Sequence, residues 1–302
     1  MLEQLTQQVR QFSIRLNHRT NGWLAALMRA FSRFSVQQAS NTAAGISFYA
    51  IFSFFPLLVF LVMVTGSMIS QPAIESILRH FLATYFPISL EPLLDEANKM
   101  LQASDSSLSW IALVGFMWAA SSVFNAFMVG VNRAWGRSDI HSMIRSRIVA
   151  LTLVTSFAVV LVIFMIAVTL FKLVAGLLLP FWQRILVVLI PSIGQILILY
   201  MLYRWGPATR STTHAKSAMF GAIFTVLALE FTTTIYTWYL QSGWAAYELI
   251  YGSLGAIIGL LFWVYISSTI LLFGAYLAET IDFRLQHGAN MELPDFFQGA
   301  VK

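Results

Sequence analysis

The residue whose type and position most suggest chemistry is an acid in the middle of a long apolar stretch. Glu230 is the only charged residue in 217–240, a segment otherwise made of apolar residues, threonine and serine. A charge at the centre of a bilayer costs about 2.5–3.5 kcal/mol on insertion scales, so we expect this carboxyl to face a bundle interior or a hydrated cavity. The sequence leaves two roles open: a proton site or substrate contact, and an interhelical hydrogen-bond anchor.

Polar side chains recur at helical spacing in this and other apolar stretches, and we predict that together they line a pathway for a substrate or an ion. The candidate residues are Glu230, Thr233, Thr234, Thr237, Asn125, Ser121, Ser122, Trp118, Gln195, Tyr265, Tyr276 and Glu279. Lone serines and threonines in membrane helices often hydrogen-bond to a carbonyl of their own helix. A structural role is therefore the alternative for these hydroxyls.

Sequence motifs typical of enzymes are absent. The chain has no cysteine, which excludes disulfides, thiolate metal sites and cysteine nucleophiles. It has no phosphate-binding Gly-Lys-Ser/Thr loop, no His-Glu-x-x-His motif, and no pair of carboxylates in its basic loops suitably spaced for catalytic metal ions. The sequence therefore predicts a protein that is not an enzyme and that has no cofactor and no metal site.

The composition indicates the environment in which these residues must be positioned. Of 302 residues only 10% are charged, where a soluble domain has about 25%, while 58% are hydrophobic and the mean hydropathy is +0.75. A soluble globule with this balance would have too little polar surface to cover itself. The composition excludes soluble enzymes, disordered chains and fibrous proteins, and it predicts a polytopic membrane protein.

Six stretches reach the roughly 20 apolar residues that a helix needs to cross a bilayer. They lack the ~10-residue alternating segments of a transmembrane barrel, so we predict an all-α fold with six transmembrane helices. Pro56 and Pro191 lie inside two of the stretches and are expected to kink those helices. The predicted spans are 42–70, 108–131, 148–171, 185–203, 217–240 and 249–277.

The segment before the first span has an amphipathic pattern. Apolar residues recur at helical spacing from Trp23 to Phe34, with Arg29 and Arg33 between them. This pattern predicts an amphipathic helix lying on the membrane surface, and packing against the protein's own cytoplasmic loops is the alternative.

The remaining organisation follows from the polar segments. The loop 71–107 shows two short amphipathic patterns separated by a proline, which predicts two short helices there. We divide the chain into an N-terminal interfacial segment 1–40, a membrane domain 41–283 and a cytoplasmic tail 284–302.

The distribution of Lys and Arg predicts the orientation. These residues concentrate in the N-terminal segment, in the loops after the second and fourth spans, and in the tail, whereas the opposite loops hold few. Basic residues favour the cytoplasmic side, so both termini should be cytoplasmic. The net charge of +5 thereby has a topological explanation, and we expect no nucleic-acid partner.

Four stretches carry a family resemblance. They are SFYAIFSFFPLL in the first span, VNRAWGRSDIHSMIRSR after the second, LYRWGP at the end of the fourth, and YGSLGAIIGLLFWVYISSTILLFGAYLAE in the last. Together they resemble the YihY/BrkB family of bacterial inner-membrane proteins over about residues 36–283. The family's last span typically has Gly-Ala-Glu where this chain has Gly274, Ala275 and Tyr276, and Glu279 is the nearest acid.

The resemblance implies an all-helical, six-span protein of the bacterial inner membrane. The family has carried a ribonuclease label and a virulence-factor label, and members have been linked to transport of osmolytes or of envelope lipid precursors. Our leading hypothesis is a transporter that exports a small polar or zwitterionic solute, such as a compatible solute, without ATP. The alternatives are a lipid or lipid-precursor translocase, a scaffold, and a membrane-associated nuclease, which the residues disfavour. Expected partners are membrane lipids and the transported substrate, and a homo-oligomer is allowed.

Overall fold

The computed structural model describes residues 23–68, 107–136, 180–207, 213–242 and 255–287, and these residues are all-helical. Within them the chain forms six α-helices. In chain order they are α1 (Trp23–Val36), α2 (Ala39–Met68), α3 (Ser107–Ala134), α4 (Pro180–Trp205), α5 (Ala215–Gln241) and α6 (Gly255–His287). The predicted all-α fold class is confirmed.

Five of the predicted spans fall on α2 to α6, and the predicted N-terminal helix falls on α1. The third predicted span, 148–171, and the two short helices predicted in 71–107 lie outside the described residues. The helices continue through Pro56 in α2 and Pro191 in α4. The N-terminal segment 1–22 and the tail beyond residue 287 also lie outside the described part of the chain.

Two of the described helices are long and apolar enough to cross a membrane. They are α5 and residues Ile257–Gln286 of α6, with 27 and 30 residues. At 1.5 Å per residue these lengths are about 40 and 45 Å, more than the ~30 Å hydrocarbon core requires. Of the most apolar stretch of each helix, 28% and 33% of the residues are buried within the protein.

The last helix is the centre of the packing. α6 contacts α1, α2, α3 and α5, while α2 lies along α3 and α4 packs on α5. The buried core joins small residues such as Ala43, Ala222 and Ala275 to larger ones such as Leu272 and Tyr276. Small side chains let helix backbones approach closely, which is the main source of helix association where lipid is as apolar as the core.

Glycine makes the closest of these approaches, between α5 and α6. A Cβ added at Gly221 would lie 2.7 Å from the Cβ of Ala278 and 2.9 Å from the carbonyl oxygen of Gly274. A Cβ added at Gly274 would collide with the Thr225 hydroxyl and lie 2.9 Å from the Tyr203 hydroxyl. The two glycines therefore fix how near α5 lies to α6.

A buried tyrosine connects three helices at this point. Tyr203 of α4 is fully buried, and its hydroxyl donates a hydrogen bond to the Leu271 carbonyl of α6 at 2.7 Å. The same hydroxyl lies 3.1 Å from the hydroxyl of Thr225 in α5. Thr225 in turn donates to the Gly221 carbonyl at 2.8 Å. These bonds satisfy the polar atoms that burial would otherwise leave without a partner.

A carboxylate of α6 caps the start of α5. Oδ1 of Asp282 accepts hydrogen bonds from the His214 backbone N–H at 2.7 Å, from His214 Nδ1 at 2.9 Å and from the Ser217 hydroxyl at 3.1 Å. Oδ2 accepts from Gln286 Nε2 at 2.9 Å. The His214 side chain does not cap α5, and the carboxylate of Asp282 instead satisfies one backbone N–H at the start of the helix, where the helix dipole favours negative charge.

Glycine also ends α3. Gly136 has φ +70°, a left-handed conformation that glycine adopts without steric penalty, and its N–H donates to the Arg133 carbonyl at 2.8 Å. The turn brings this end of α3 beside α1, because Arg33 Nη2 lies 3.7 Å from the position of a Cβ at Gly136.

We predict that Gly274→Ala destabilises the protein by about 1–3 kcal/mol, because the new methyl group would displace Thr225 and Tyr203. Thermal unfolding of the detergent-purified protein measures this loss. Gly45→Ala in α2 is the matched control, since its added Cβ would meet nothing within 4 Å. The control should leave stability unchanged or slightly raised, because alanine favours helix by about 1 kcal/mol. Equal losses in both variants would contradict the packing explanation.

We predict that Asp282→Ala lowers the free energy of unfolding by about 1–3 kcal/mol, because the His214 backbone N–H, the His214 ring and the buried Ser217 hydroxyl each lose a hydrogen bond to the carboxylate. Gln286→Ala removes a single, less buried bond to the same carboxylate and should cost less than about 1 kcal/mol. Denaturant unfolding in detergent compares the two. If Gln286→Ala lowers the free energy of unfolding as much as Asp282→Ala does, Asp282 does not act as the cap.

Candidate functional site

Glu230 lies on the exposed side of α5. Its neighbours on this side are Leu227, Phe231 and Trp238, which are 64%, 68% and 60% exposed. The opposite side of α5 carries the buried residues that contact α6, including Thr225. Among the residues that the structure describes, the Glu230 carboxyl has no hydrogen-bond or ion-pair partner.

The threonines that follow Glu230 use their protons within α5. Thr233 donates to the Leu229 carbonyl at 2.8 Å and Thr234 donates to the Glu230 carbonyl at 2.9 Å. Thr234 is exposed beside the acid, whereas Thr233 and Thr237 are half-buried. Each hydroxyl oxygen keeps lone pairs, so these threonines can still accept hydrogen bonds.

The polar residues of α3 divide between core and surface. Trp118 is 61% exposed, and its carbonyl accepts hydrogen bonds from Ser121 at 2.7 Å and from Ser122 at 3.0 Å. Ser121 is buried, and Asn125 one turn later is half-buried. The two serines therefore bond within their own helix, as expected if their role is structural. Trp118 is the most exposed of these four residues.

Two half-buried candidates belong to other helices. Gln195 lies in α4, and Tyr265 lies in α6, where its carbonyl accepts a hydrogen bond from Thr269 at 2.8 Å. Neither side chain hydrogen-bonds to the Glu230 carboxyl, which has no hydrogen-bond partner in the described part of the chain.

Tyr276 and Glu279 of α6 both bond to side chains at or just beyond the end of α1. Glu279 forms an ion pair with Arg33 of α1, and their side chains are 12% and 23% exposed. The Tyr276 hydroxyl donates to Oε1 of Gln37 at 2.8 Å. Phe34 packs edge-on against Tyr276, with ring centroids 5.7 Å apart. These contacts hold α1 against the end of α6.

Two more arginines adjoin this ion pair. The Arg29 guanidinium lies 3.6 Å from the ring centroid of Phe283, and Arg133 Nη1 donates to the Thr42 hydroxyl at 3.1 Å. Partial burial lowers the pKa of Arg29 from its ordinary value, and the nearby Glu279 carboxylate opposes that shift. We call Arg29, Arg33, Arg133 and Glu279 the arginine cluster. It holds three positive groups and one negative group.

The sequence analysis missed two of these arrangements. It treated Arg29 and Arg33 as surface charges of an amphipathic helix, although their spacing of four residues places both on one helix face. It also missed the pairing of Asp282 with His214. Two features of the sequence could have indicated this pairing. Asp282 lies one turn beyond Glu279 in the last helix, and His214 lies directly before a long helical segment.

The His214–Asp282 pair is not arranged for nucleophilic catalysis. The His214 ring and the Ser217 hydroxyl both donate to the same oxygen of Asp282, and Ser217 also approaches the His214 carbonyl at 2.7 Å. A catalytic triad needs the imidazole between the serine and the acid. The residues that the structure describes also contain no group of three or more His, Asp or Glu that could hold a metal ion.

Comparison with known proteins identifies relatives over most of the chain. The chain is 25% identical to a putative ribonuclease-like protein, YfkH, of Bacillus subtilis (strain 168) over 278 residues, which cover 83% of this chain and 93% of the relative. It is 22% identical to a UPF0761 membrane protein of Haemophilus influenzae over 265 residues, with the same coverage of both chains. A UPF0761 membrane protein of Alteromonas mediterranea is 39% identical over 87 residues, 29% of each chain.

No solved structure matches the chain. Residues 30–293 match the family described as virulence factor BrkB, a range that includes all of α2 to α6 and the second half of α1. This match confirms the resemblance found in the four sequence stretches. The chain therefore belongs to the BrkB family of membrane proteins.

Proposed function

We propose that this protein is a membrane transporter that exports a small polar or zwitterionic solute, such as a compatible solute, without ATP. The observation that carries the proposal is the position of Glu230, an exposed acid midway along a helix long enough to span a membrane. In a bilayer such an acid is stable when it is protonated, hydrated or in contact with a substrate. A hydrated path along this side of α5 meets that requirement.

The chemistry around Glu230 suits a cationic or zwitterionic group. Trp238 lies two turns from the acid on the same exposed side, with Phe231 beside it. Aromatic faces attract quaternary ammonium groups, and the acid supplies the opposite charge. A net-neutral solute with such a group would satisfy both without bringing a net charge into the membrane.

A second candidate, a lipid or lipid-precursor translocase, is favoured by the apolar residues around the acid. Leu227 and Phe231 are exposed on either side of Glu230 in the sequence. A lipid could place its head group at Glu230 and Thr234 while its acyl chains contact Leu227 and Phe231. The experiment below includes a lipid substrate for this reason.

The placement we propose is the bacterial inner membrane, with six spans and both termini in the cytoplasm. The Lys and Arg distribution supports this orientation. α1 would lie at the cytoplasmic surface, since Leu27 and Phe31 are exposed on the side away from α6 while Arg29 and Arg33 face it. Membrane lipids would then be its partners, and a homo-oligomer is compatible with the exposed apolar helices.

We also propose that the protein is not a nuclease, although one relative is named ribonuclease-like. Phosphodiester hydrolysis normally needs held metal ions or an organised acid–base pair. The described residues offer the His214–Asp282 pair, but there Ser217 bonds to the acid and not to the ring. Nucleic acid is therefore not among the partners that we propose.

We predict that Glu230→Gln abolishes transport while insertion and thermal stability stay nearly unchanged, because the change keeps the shape but removes the titratable group. Uptake into inside-out vesicles measures it, with a radiolabelled trimethylammonium zwitterion as the solute and a fluorescent short-chain phospholipid as the lipid. Glu292→Gln, the same chemical change in the predicted tail, is the control. A Glu230→Gln protein that moves both substrates normally would show that Glu230 is an anchor, for which Gln serves as well.

We predict that the protein purified to homogeneity does not cleave RNA, with or without added divalent metal. Gel assays with labelled single-stranded RNA measure this, and a mock purification from cells lacking the protein is the control. Cleavage that persists through purification and is lost in Asp139→Ala, His141→Ala or His214→Ala would contradict the prediction.

A further inference from the structure

The side of α5 that carries Glu230 is polar from the acid to the end of the helix. By helical spacing, the polar residues that share this side are Thr234, Thr237 and Gln241. Thr234 is exposed beside the acid and Gln241 is exposed at the end of α5, while the apolar Phe231 and Ile235 lie to one side of this row. At 1.5 Å per residue, the row covers the ~16 Å from Glu230 to the end of the helix. We call these three residues the polar row.

The same side of α5 is apolar in the other direction. Leu227, Ile223 and Met219 precede Glu230 on this side, and they are 64%, 37% and 38% exposed. The next polar side chain on this side is Lys216, which is exposed in the first turn of α5. Roughly 20 Å of helix whose exposed side chains are apolar therefore separates the acid from that end. We call these three residues the apolar row.

The orientation proposed above places the polar row towards the outside. Arg204, Arg210 and Lys216 lie around the connection from α4 to α5, which basic residues assign to the cytoplasm. Gln241, at the other end of α5, is then at the outer surface. Water from the outside can follow hydrogen-bonding groups to Glu230, whereas water from the cytoplasm meets apolar side chains. The acid is therefore accessible from one side of the membrane.

The chemistry at Glu230 suits a proton better than a metal cation. α5 is helical without a break from Ala215 to Gln241, and Thr234 donates to the Glu230 carbonyl at 2.9 Å. A bound metal cation needs several oxygen ligands, and transporters take some of them from the free carbonyls of unwound helices. A proton needs one carboxyl oxygen, and its binding removes the charge that is unfavourable in a bilayer.

The neighbouring helices direct their titratable groups away from this side of α5. α4 and α6 pack on its other side, where Tyr203 bonds to Thr225. Asp282 bonds at the start of α5, and Glu279 pairs with α1. Two further tyrosines of these helices pack against the buried core, and they are Tyr200 and Tyr265. Among the described residues, none of these groups bonds to the Glu230 carboxyl, so no partner competes with a proton.

We propose that Glu230 binds a proton from the outer side and that the inward movement of this proton drives export of the solute. The carboxyl releases its proton to the cytoplasm, and the carboxylate then binds the positive group of the solute. A proton from the outer water replaces that group when the solute leaves, so one proton enters for each solute molecule exported. The apolar row closes the cytoplasmic side, so a proton crosses only with the rearrangement that carries solute. This coupling rests on the proposed transport function, to which it adds the driving ion.

Inside-out vesicles that contain the full-length protein test the coupling, because their lumen corresponds to the outer side. The lumen is made one pH unit more acidic than the bath, and potassium with valinomycin clamps the membrane potential at zero. The radiolabelled trimethylammonium zwitterion should then accumulate about tenfold in the lumen, since one pH unit and a tenfold concentration ratio both equal about 1.4 kcal/mol. A tenfold sodium gradient at equal pH should cause no accumulation. Glu292→Gln, the control, should accumulate the solute as the wild type does.

Dicyclohexylcarbodiimide tests the proton on Glu230 without depending on transport. This apolar reagent enters the membrane, where the acid's proton moves to a carbodiimide nitrogen while the carboxyl oxygen adds to the central carbon. Mass spectrometry should find the adduct on Glu230. Its rate of formation should fall by up to about tenfold for each pH unit by which the lumen is made more alkaline, and it should not change with the pH of the bath. Glu230→Gln should lose this adduct, and Glu292→Gln should keep it.

The remaining outcomes separate the coupling from the transport function. Solute movement that does not respond to the pH of the lumen would leave the function in place and overturn proton coupling. Accumulation driven by the sodium gradient would replace the proton by sodium. A wild-type protein that moves neither solute nor lipid under any gradient would refute the function and the coupling with it. An adduct that is absent from Glu230, or that follows the pH of the bath, would overturn proton binding from the outer side.

Discussion

The close approach of α5 to α6 is the constraint on which the rest of the structure depends. Gly221 and Gly274 leave room for the two backbones to touch, and this brings Thr225 of α5 to the hydroxyl of Tyr203 in α4. The bond from Tyr203 to the Leu271 carbonyl then ties α4 to α6. In a bilayer, where burial of apolar surface between helices gains little, such contacts carry much of the specificity of packing.

The end of α6 beyond this contact organises the neighbouring helices through polar groups. Tyr276 and Glu279 hold α1, and Asp282, one turn further, caps α5. Three polar side chains spaced three residues apart on one helix thus set the position of two other elements. The side of α5 that carries Glu230 lies away from these contacts, so it is available for function without disturbing the packing.

Periodicity and composition were sufficient to predict the fold class and the positions of α1 to α6, because long apolar runs have few alternatives to a helix in a membrane. They also identified Tyr276 and Glu279 as polar residues of interest. They could not predict that Glu279 pairs with Arg33, because that contact depends on how α1 packs. The same limit applies to Asp282 and His214, whose pairing follows from the crossing of α5 and α6 and not from any local pattern. The direction in which Glu230 points depended on the tertiary structure for the same reason.

The contact between Tyr276 and Gln37 spans 239 residues of sequence. The first described helix therefore finds its partner only when nearly the whole chain has been made. At about 5–20 residues per second, synthesis leaves α1 without that partner for roughly 10–50 s. Its surface placement would give Leu27 and Phe31 a nonpolar environment during this interval. Docking of α1 on α6 would then be a late step of biogenesis.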